Sequence, residues 1–282
     1  MISKCIFPVA GFGTRFLPVT KNIPKEMLPI LSTPLIELAV NEANNCEITE
    51  MIMIINKDKA SIKDYFSKNE TLDSLILGTD KEAFLENIYY LIQKIKFSFV
   101  NQDSMRGLGH AILQGKDLVN NEAFAVILPD DLCYNNGLSV MKQMSIIHEK
   151  YPDKCIIAIE EVDERDVNKY GIVDGNTIEG DEKILMVTNM IEKPNLVDAP
   201  SNLAIIGRYI LPADIFKVIE STEPDHRGEI QITDALVDLA KKGRVIAYKF
   251  DGVRLDCGSV DGYINANNFF LKMHQNKFNE KC

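Results

Sequence analysis

Over its first 160 residues the chain alternates short, unbroken apolar runs with segments of helical spacing, and this rhythm limits the fold more than any other feature. The runs at 3–9, 50–56 (EMIMIIN), 96–100, 123–128 (AFAVIL) and 155–160 have strand length. Between them, 35–45, 59–67, 81–94, 109–118 and 138–150 read as helices, the first preceded by Thr33-Pro34 as a start signal. Continuous apolar strands suit a sheet covered on both faces, and repeated β-α-β units predict parallel pairing. The expected fold is α/β: a Rossmann-like, doubly wound, mixed but mostly parallel sheet flanked by helices. After residue 160 the rhythm changes. Strand-like runs at 170–173, 184–191 and 204–211 are joined by polar turns such as Asp174-Gly175-Asn176, which predicts a smaller antiparallel elaboration. A short helix at 212–220, a helix at 232–242 closed by Gly243, a strand at 244–250 and a terminal helix at 261–278 complete the reading. Segment 69–80 matches no pattern and is read as a mobile loop.

Composition narrows the class of function. The 282 residues are 46% hydrophobic and 26% charged, enough for one large domain with its own core. A net charge of −10 argues against a nucleic-acid or anionic-membrane binder, which needs a broad basic surface. It leaves room for a small anionic ligand, because residues 1–25 hold Lys4, Arg15, Lys21 and Lys25 and no acid. No apolar run approaches the roughly 18 residues that span a bilayer, and the N-terminus does not read as a signal peptide. The six cysteines (5, 46, 133, 155, 257 and 282) include no C-x-x-C pair and read as reduced thiols of a cytoplasmic protein.

The first strand runs into Ala10-Gly11-Phe12-Gly13-Thr14-Arg15, and Pro24-Lys25-Glu26-Met27-Leu28-Pro29 follows. Glycines there let backbone N–H groups approach a phosphate, which Arg15 could grip as a fork and Lys25 as a point charge. Phe16 occupies the third-glycine position of a dinucleotide fingerprint, which disfavours an NAD-dependent dehydrogenase; the loop is not a P-loop either. Other polar residues follow predicted strands. Asp130 and Asp131 follow 123–128, Gln102 follows 96–100, and Glu192-Lys193 follows 184–191. Ligands of open α/β sheets gather at such carboxyl ends. Asp130 there suits Mg2+, with Asp256 as a second ligand and Asp131 as a weaker candidate. The Gln102 amide offers the donor and acceptor of a pyrimidine edge. Residue by residue, each also reads as an ordinary turn, cap or exposed loop.

Taken together, GxGTR and PKEMLP are joined in order by several further blocks. They are Gln102 with Gly107-Leu108-Gly109-His110-Ala111, Leu128-Pro129-Asp130-Asp131, Tyr170-Gly171-Ile172-Val173, Ile191-Glu192-Lys193-Pro194, Ile206-Gly207-Arg208-Tyr209, Gly228-Glu229-Ile230-Gln231-Ile232-Thr233-Asp234-Ala235 and Asp256-Cys257-Gly258. This set covers nearly the whole chain and resembles the sugar-1-phosphate nucleotidylyltransferases, departing from their pattern only at Val9 and Phe12. The resemblance implies the nucleotide-diphospho-sugar transferase fold in one domain, 1–282. Residues 1–160 would mainly bind nucleotide, 161–260 sugar phosphate, and helix 261–282 could form an oligomer contact. It implies UTP and glucose 1-phosphate as substrates, UDP-glucose and pyrophosphate as products, and Mg2+ as cofactor. Arg15, Lys25 and Lys193 would be catalytic. Ala10, Gly11, Gly13, Thr14, Gln102 and Gly107 would bind nucleotide. Gly171, Glu192, Lys193 and Gly207 would bind sugar, and Asp130 and Asp256 would hold metal, with Asp131 less favoured. His110 reads as structural or capping. A homodimer or homotetramer is expected. The alternatives are thymidylyl transfer from dTTP and a catalytically silent sugar-nucleotide sensor. The joint presence of Arg15, Lys25, Asp130, Lys193 and Asp256 speaks against the sensor.

Overall fold

A computed structural model describes residues 2–178 and 180–279. In chain order its strands are β1 (Lys4–Pro8), β2 (Pro29–Ile30), β3 (Thr33–Pro34), β4 (Glu50–Ile55), β5 (Lys96–Asn101), β6 (Phe124–Ile127), β7 (Asp131–Tyr134), β8 (Cys155–Glu161), β9 (Gly171–Ile178), β10 (Asp181–Glu192), β11 (Leu203–Leu211), β12 (Val245–Lys249) and β13 (Val253–Asp256). The α-helices are α1 (Leu35–Asn44), α2 (Ala60–Tyr65), α3 (Glu70–Ile76), α4 (Glu86–Lys94), α5 (Gly107–Leu113), α6 (Lys116–Val119), α7 (Val140–Lys150), α8 (Ile215–Ser221), α9 (Ile232–Ala240) and α10 (Val260–Asn279).

A nine-stranded sheet runs in the order β5-β4-β1-β6-β11-β8-β12-β10-β9. Parallel ladders join β5, β4, β1 and β6, and join β8 to β12. Strands β10 and β11 run against their neighbours. The mixed sheet follows the expectation. The antiparallel strands are built into it, β11 lying between β6 and β8 in the middle of the sheet. Its run LAIIGRYIL is buried almost throughout, as a central strand requires.

Side chains alternate between two apolar layers with the strand period of two. Phe7 and Met53 pack with Ile36 and Val40 of α1 and Met144 of α7. Their sequence neighbours Ile6 and Ile52 point to the other layer, with Ile112 of α5, Phe216 of α8 and Leu236 of α9. Helices therefore cover both faces.

Three expectations change. Segment 69–80 contains α3, whose start is capped by the Asn69 side chain accepting from the Leu72 N–H at 3.1 Å. The helix expected over 81–94 divides into a 3-10 turn (Asp80–Leu85) and α4, since its buried residues, Ile88 and Leu91, come only after residue 86. The helix expected over 109–118 begins at Gly107 and breaks at Gly115, where a Cβ would lie 2.5 Å from the Ile6 side chain. Helix α10 packs Tyr263, Ala266 and Phe270 against Phe16, Leu28 and Leu35, leaving Ile264 and Leu271 exposed; residues 280–282, with Cys282, lie outside the described residues. The cysteines at 5, 46, 133, 155 and 257 are free thiols. Among the described residues no helix is long and apolar enough to cross a membrane.

Candidate active site

Strand β1 lies between β4 and β6; the chain runs outwards from β1 to β4 and β5, then crosses back to β6 on the other side, and a crevice opens beyond the carboxyl ends of β1, β5 and β6. The loop after β1 is held from below. Val9 donates its N–H to Ile54 O at 2.9 Å, and the buried Asn56 amide donates to Ala10 O at 2.5 Å. Gly13 has a φ of 63° in the left-handed region, and its carbonyl accepts from the Thr20 hydroxyl at 2.8 Å. A Cβ at Gly13 would lie 3.0 Å from Lys25 Cβ, so a larger residue would push the loop off the Lys25 segment.

Two adjoining cavities fill the crevice. One, of about 350 Å³, is bordered by Ala10, Gly11, Lys25, Gln102 and Gly107. The other, of about 290 Å³, is bordered by Arg15, Gly171, Glu192, Lys193, Gly207 and Asp256, together with Asp131 and Arg254. Leu108, Leu128 and Asp130 border both. The structure thus gathers the sequence candidates around one crevice, except that Gly13 and Thr14 line neither cavity and shape the loop instead. Glu229 reaches the first cavity from the far end of the chain.

In the first cavity Gly107 has a φ of 88°, and a Cβ there would meet Ile230 O at 2.7 Å. Gly109 donates its N–H to Ile230 O at 2.9 Å, and Ile230 donates its own to Arg106 O at 2.8 Å. The Gly228-Glu229-Ile230 block thereby latches the start of α5. Gln102 is buried, and its amide nitrogen lies 2.8 Å from His110 Nδ1. Burial, with the nearby Arg106 charge, holds the His110 pKa below its usual value.

At the junction Lys25 Nζ lies 2.5 Å from Asp130 Oδ2. Burial works to lower the Lys25 pKa, but Asp130, helped by Glu26, outweighs it and the net shift is upward. Burial likewise works to raise Asp130, and Lys25 overcomes it, leaving the carboxyl below its ordinary value. Both groups are therefore charged at neutral pH. Behind them Glu26 and Lys59 form a second pair at 2.6 Å, both buried.

The β7–β13 ribbon, absent from the sequence reading, sets Asp131 directly opposite Asp256. Two like charges so placed repel. Arg254, on the same ribbon face two residues before Asp256, offsets them. Its Nε donates to Asp131 Oδ1 at 2.6 Å, its Nη1 to Glu160 Oε1 at 2.7 Å, and Nη2 lies 3.5 Å from Asp256. The guanidinium lies 4.7 Å from the Tyr170 ring centre, and the Tyr170 hydroxyl donates to Asp256 Oδ2 at 3.1 Å. Asp131 Oδ2 accepts the Gly207 N–H at 2.9 Å, so both Asp131 oxygens are engaged within the protein. A Cβ at Gly207 would fall 2.5 Å from Leu128 Cβ and 2.8 Å from Asp131 Oδ2. From the other side, fully buried Arg208 donates to the Leu128 and Gly207 carbonyls and pairs with Glu42 at 2.8 Å. The Leu128–Asp131 turn is thus fixed on both sides.

Across the second cavity Glu192 faces Gly171 in the β10–β9 ladder. Glu192 Oε2 accepts from the Thr233 hydroxyl at 2.7 Å, and Oε1 lies 3.0 Å from Lys193 Nζ. Lys193 has a φ of 44°, uncommon outside glycine, and its N–H donates to Tyr170 O at 2.9 Å. That backbone bend turns the chain at the cavity wall just before Pro194. Tyr170, Arg254, Thr233 and the His110–Gln102 contact were not assigned roles from sequence. The one local signal was the Arg254-x-Asp256 spacing, informative only once the segment is known to be a strand.

Whether a divalent cation fits is tested at Gly258. A methyl placed there would lie 3.0 Å from Asp256 Oδ1, 3.3 Å from Asp130 Oδ2 and 3.7 Å from Arg15 Nη1, so two hard oxygen donors flank one small space with a guanidinium at its edge. Cys257 N–H donates to Asp130 O at 2.7 Å and ties the two segments together. No group of three or more His, Cys, Asp or Glu residues with metal-holding geometry occurs among the described residues. A pair of carboxylates completed by phosphate oxygens and water is the usual Mg2+ arrangement, and the residues fit it.

Comparison with known proteins agrees with this geometry. The family model described as nucleotidyl transferase matches residues 5–273. The UTP–glucose-1-phosphate uridylyltransferase of Pseudomonas aeruginosa is 52% identical over 271 residues, 95% of this chain and 96% of that protein. The crystal structure of an apo UDP-glucose pyrophosphorylase superposes with a TM-score of 0.92 at 52% identity, covering 97% of this chain and 100% of the other. A UDP-glucose pyrophosphorylase complexed with UDP-glucose superposes with a TM-score of 0.88 at 50% identity, again over 97% and 100%. With the match running along almost its entire length, this chain belongs to the nucleotidyl transferase family.

Proposed function

We propose that this chain transfers the uridylyl group of UTP to glucose 1-phosphate, forming UDP-glucose and pyrophosphate. One observation carries the reading: two cavities, one lined by the glycine loop and Gln102 and the other by Glu192 and Lys193, meet at Asp130 and Lys25. Two substrates seated in them would bring their phosphates to that junction. The relatives reported above, whose names state this reaction, share half of their residues with this chain.

The reaction is an in-line attack by a phosphate oxygen of glucose 1-phosphate on the α-phosphorus of UTP, with pyrophosphate leaving. The nucleophile is already an anion at neutral pH, so no general base is required. The obstacle is repulsion between two polyanions, and catalysis is charge neutralisation and alignment. We assign Lys25 and Arg15 to the triphosphate and the departing pyrophosphate, and Lys193 to the incoming sugar phosphate. Gln102 and the backbone of Ala10, Gly11 and Gly107 take the uracil, with Gly13 and Thr14 forming the loop that carries them. Glu192 and the backbone at Gly171 and Gly207 take the glucose. Asp130 and Asp256 would hold Mg2+, which when bound would supply positive charge against the phosphates; Asp131 is a positioning residue because it is paired with Arg254 at 2.5 Å, whereas Asp256 lies 3.5 Å from that guanidinium and otherwise accepts from neutral donors, the Tyr170 hydroxyl and the Gly258 N–H.

We also class the sheet as Rossmann-like and doubly wound, with 1–160 mainly serving the nucleotide and 161–260 the sugar phosphate. Arg15 and Glu229 cross that division. The setting we assign is cytoplasmic and self-associated, as a homodimer or homotetramer. The test is pyrophosphate release from purified protein, glucose 1-phosphate and Mg2+ with UTP, dTTP, CTP, ATP or GTP. UTP is expected to be preferred and EDTA to abolish release. Preference for dTTP would move the assignment to thymidylyl transfer, and no release with any nucleotide would leave a silent sensor.

A further inference from the structure

We propose that His110 is a positioning residue for base choice: its Nδ1 holds the Gln102 amide in the one orientation that pairs with uracil and rejects cytosine. The inference rests on the functional reading above.

Gln102 is fixed at its root, because its backbone N–H donates to Ile55 O at 2.8 Å at the end of β5. The residue is 3% exposed and borders the nucleotide cavity. Among the described residues the amide makes one side-chain hydrogen bond, to His110 Nδ1 at 2.8 Å, and Oε1 takes none. A neutral imidazole has one nitrogen with a lone pair and one with a proton. Burial and the Arg106 charge favour the neutral ring, and in this reading His110 takes the tautomer with its proton on Nε2, so that Nδ1 accepts from the Gln102 N–H. Gln114 also touches the ring, at 3.4 Å from Nε2, and donates to His110 O at 3.3 Å. Both contacts lie at the long limit of N–H bonding, so the shorter Gln102 contact governs the ring.

One Gln102 N–H is thus committed to His110. The second N–H and Oε1 form a donor–acceptor edge for the base. Uracil matches it, with a carbonyl oxygen beside the N3–H. Cytosine carries the reverse pattern, an amino group beside an N3 lone pair. To pair with cytosine the amide would have to turn over, which would set Oε1 against the Nδ1 lone pair. Thymine presents the same edge as uracil, so this device separates UTP and dTTP from CTP and does not separate UTP from dTTP. Leaving a buried polar edge mismatched is the costly outcome on which such discrimination depends.

The test compares binding of UTP, dTTP and CTP by calorimetry, and pyrophosphate release with each, for the unsubstituted chain, His110→Phe, His110→Ala, His110→Asn, Gln102→Ala and the double variant His110→Phe/Gln102→Ala. His110→Phe keeps ring volume and removes both nitrogens; His110→Asn keeps an acceptor near the place of Nδ1. In His110→Phe and His110→Ala the preference for UTP over CTP is expected to fall about tenfold, mainly through KM, with the UTP-to-dTTP ratio unchanged. His110→Asn should retain the preference to within about threefold, and His110→Phe should change it little once Gln102 is already alanine. An unchanged UTP-to-CTP ratio in both His110→Phe and His110→Ala, or an equal fall with and without Gln102, would overturn the inference while the functional reading stands. An unsubstituted chain that binds CTP as well as UTP, or that releases no pyrophosphate with UTP, would overturn the functional reading and the inference with it.

Discussion

Replacing Arg254 by Met tests whether the acidic wall of the crevice is held by one guanidinium. Arg254 is only 5% exposed as a side chain and contacts Asp131, Glu160, Asp256 and the Tyr170 ring. Methionine approximates its stem and removes its charge. Asp131, at 14% exposure, and Glu160, at 26%, then lose their nearest cation. Breaking a buried ion pair by removing one partner costs about 3–5 kcal/mol. With a urea m-value of about 3 kcal/mol/M, the unfolding midpoint falls by about 1–1.7 M. The pH dependence supplies the sign. Burial already raises the pKa of Asp131 and of Glu160, with Arg254 opposing the rise. An acid whose pKa is higher folded than unfolded binds more protons in the native state, so its ionisation removes stability as pH rises through the folded value. Losing Arg254 raises both values further. The variant's deficit should therefore be fullest near pH 8 and shrink towards pH 5. Urea titrations at both pH values check this. A deficit below about 1 kcal/mol, or one equal at the two pH values, would refute the assignment of Arg254 as the clamp.

Three further outcomes are expected. Gly207→Ala should lower stability by about 1–3 kcal/mol, read by calorimetric melting, because the new methyl meets Leu128 and Asp131 at 2.5 and 2.8 Å. Lys193→Ala should raise KM for glucose 1-phosphate about tenfold or more in steady-state kinetics while leaving KM for UTP nearly unchanged. Lys25→Met should cut turnover by about 10²–10³-fold yet tighten Mg2+ binding to the nucleotide-free chain in calorimetry, because Lys25 and a cation share Asp130 Oδ2 as their anion.

The residues that the sequence brought forward were those whose chemistry is visible one at a time. Glycines beside cations, acids after apolar runs and Glu192-Lys193 all pointed to the crevice before any geometry was known. The apolar runs also showed the strands, since MIMII and FAVI are covered on both faces. What stayed hidden depended on pairing between distant segments. The insertion of β11 between β6 and β8 is a register fact between segments far apart in the chain, and LAIIGRYIL reads the same at an edge as in the middle. Arg254 looked like an isolated charge because β7 and β13 are four-residue strands that exist only as each other's partner. Gly13 and Thr14 were expected to touch ligand; their signature is the same whether glycine serves a phosphate or a tight approach to Lys25. Segment 69–80 was missed for a simpler reason: α3 exposes Leu72 and Leu75 and buries little except Ile76, so it lacks the apolar periodicity that marks a core helix.

How the site holds its charges follows from the protein's net charge of −10. A crevice meant for two polyanions needs cations, yet unpaired cations at the centre of an acidic chain would find the nearest acid. Here three of them have a chosen one, Lys25 with Asp130, Lys193 with Glu192 and Arg254 with Asp131, while Arg15 donates instead to the Gly258 carbonyl at 3.4 Å. The three pairs differ in how readily they part. Lys193 is 43% exposed, and a pair in that setting is screened and contributes little, so its ammonium is readily available to a phosphate. Lys25 is more enclosed and holds a single carboxylate, which a triphosphate, with more charge and more acceptor oxygens, can outbid. Arg254 is surrounded by three acids and a ring, and no one phosphate could replace them. Two cations are thus exchangeable and one is part of the frame. Catalysis by alignment requires that division, because the groups that meet the substrates must be free to leave their partners while the carboxylates opposite them stay where they are.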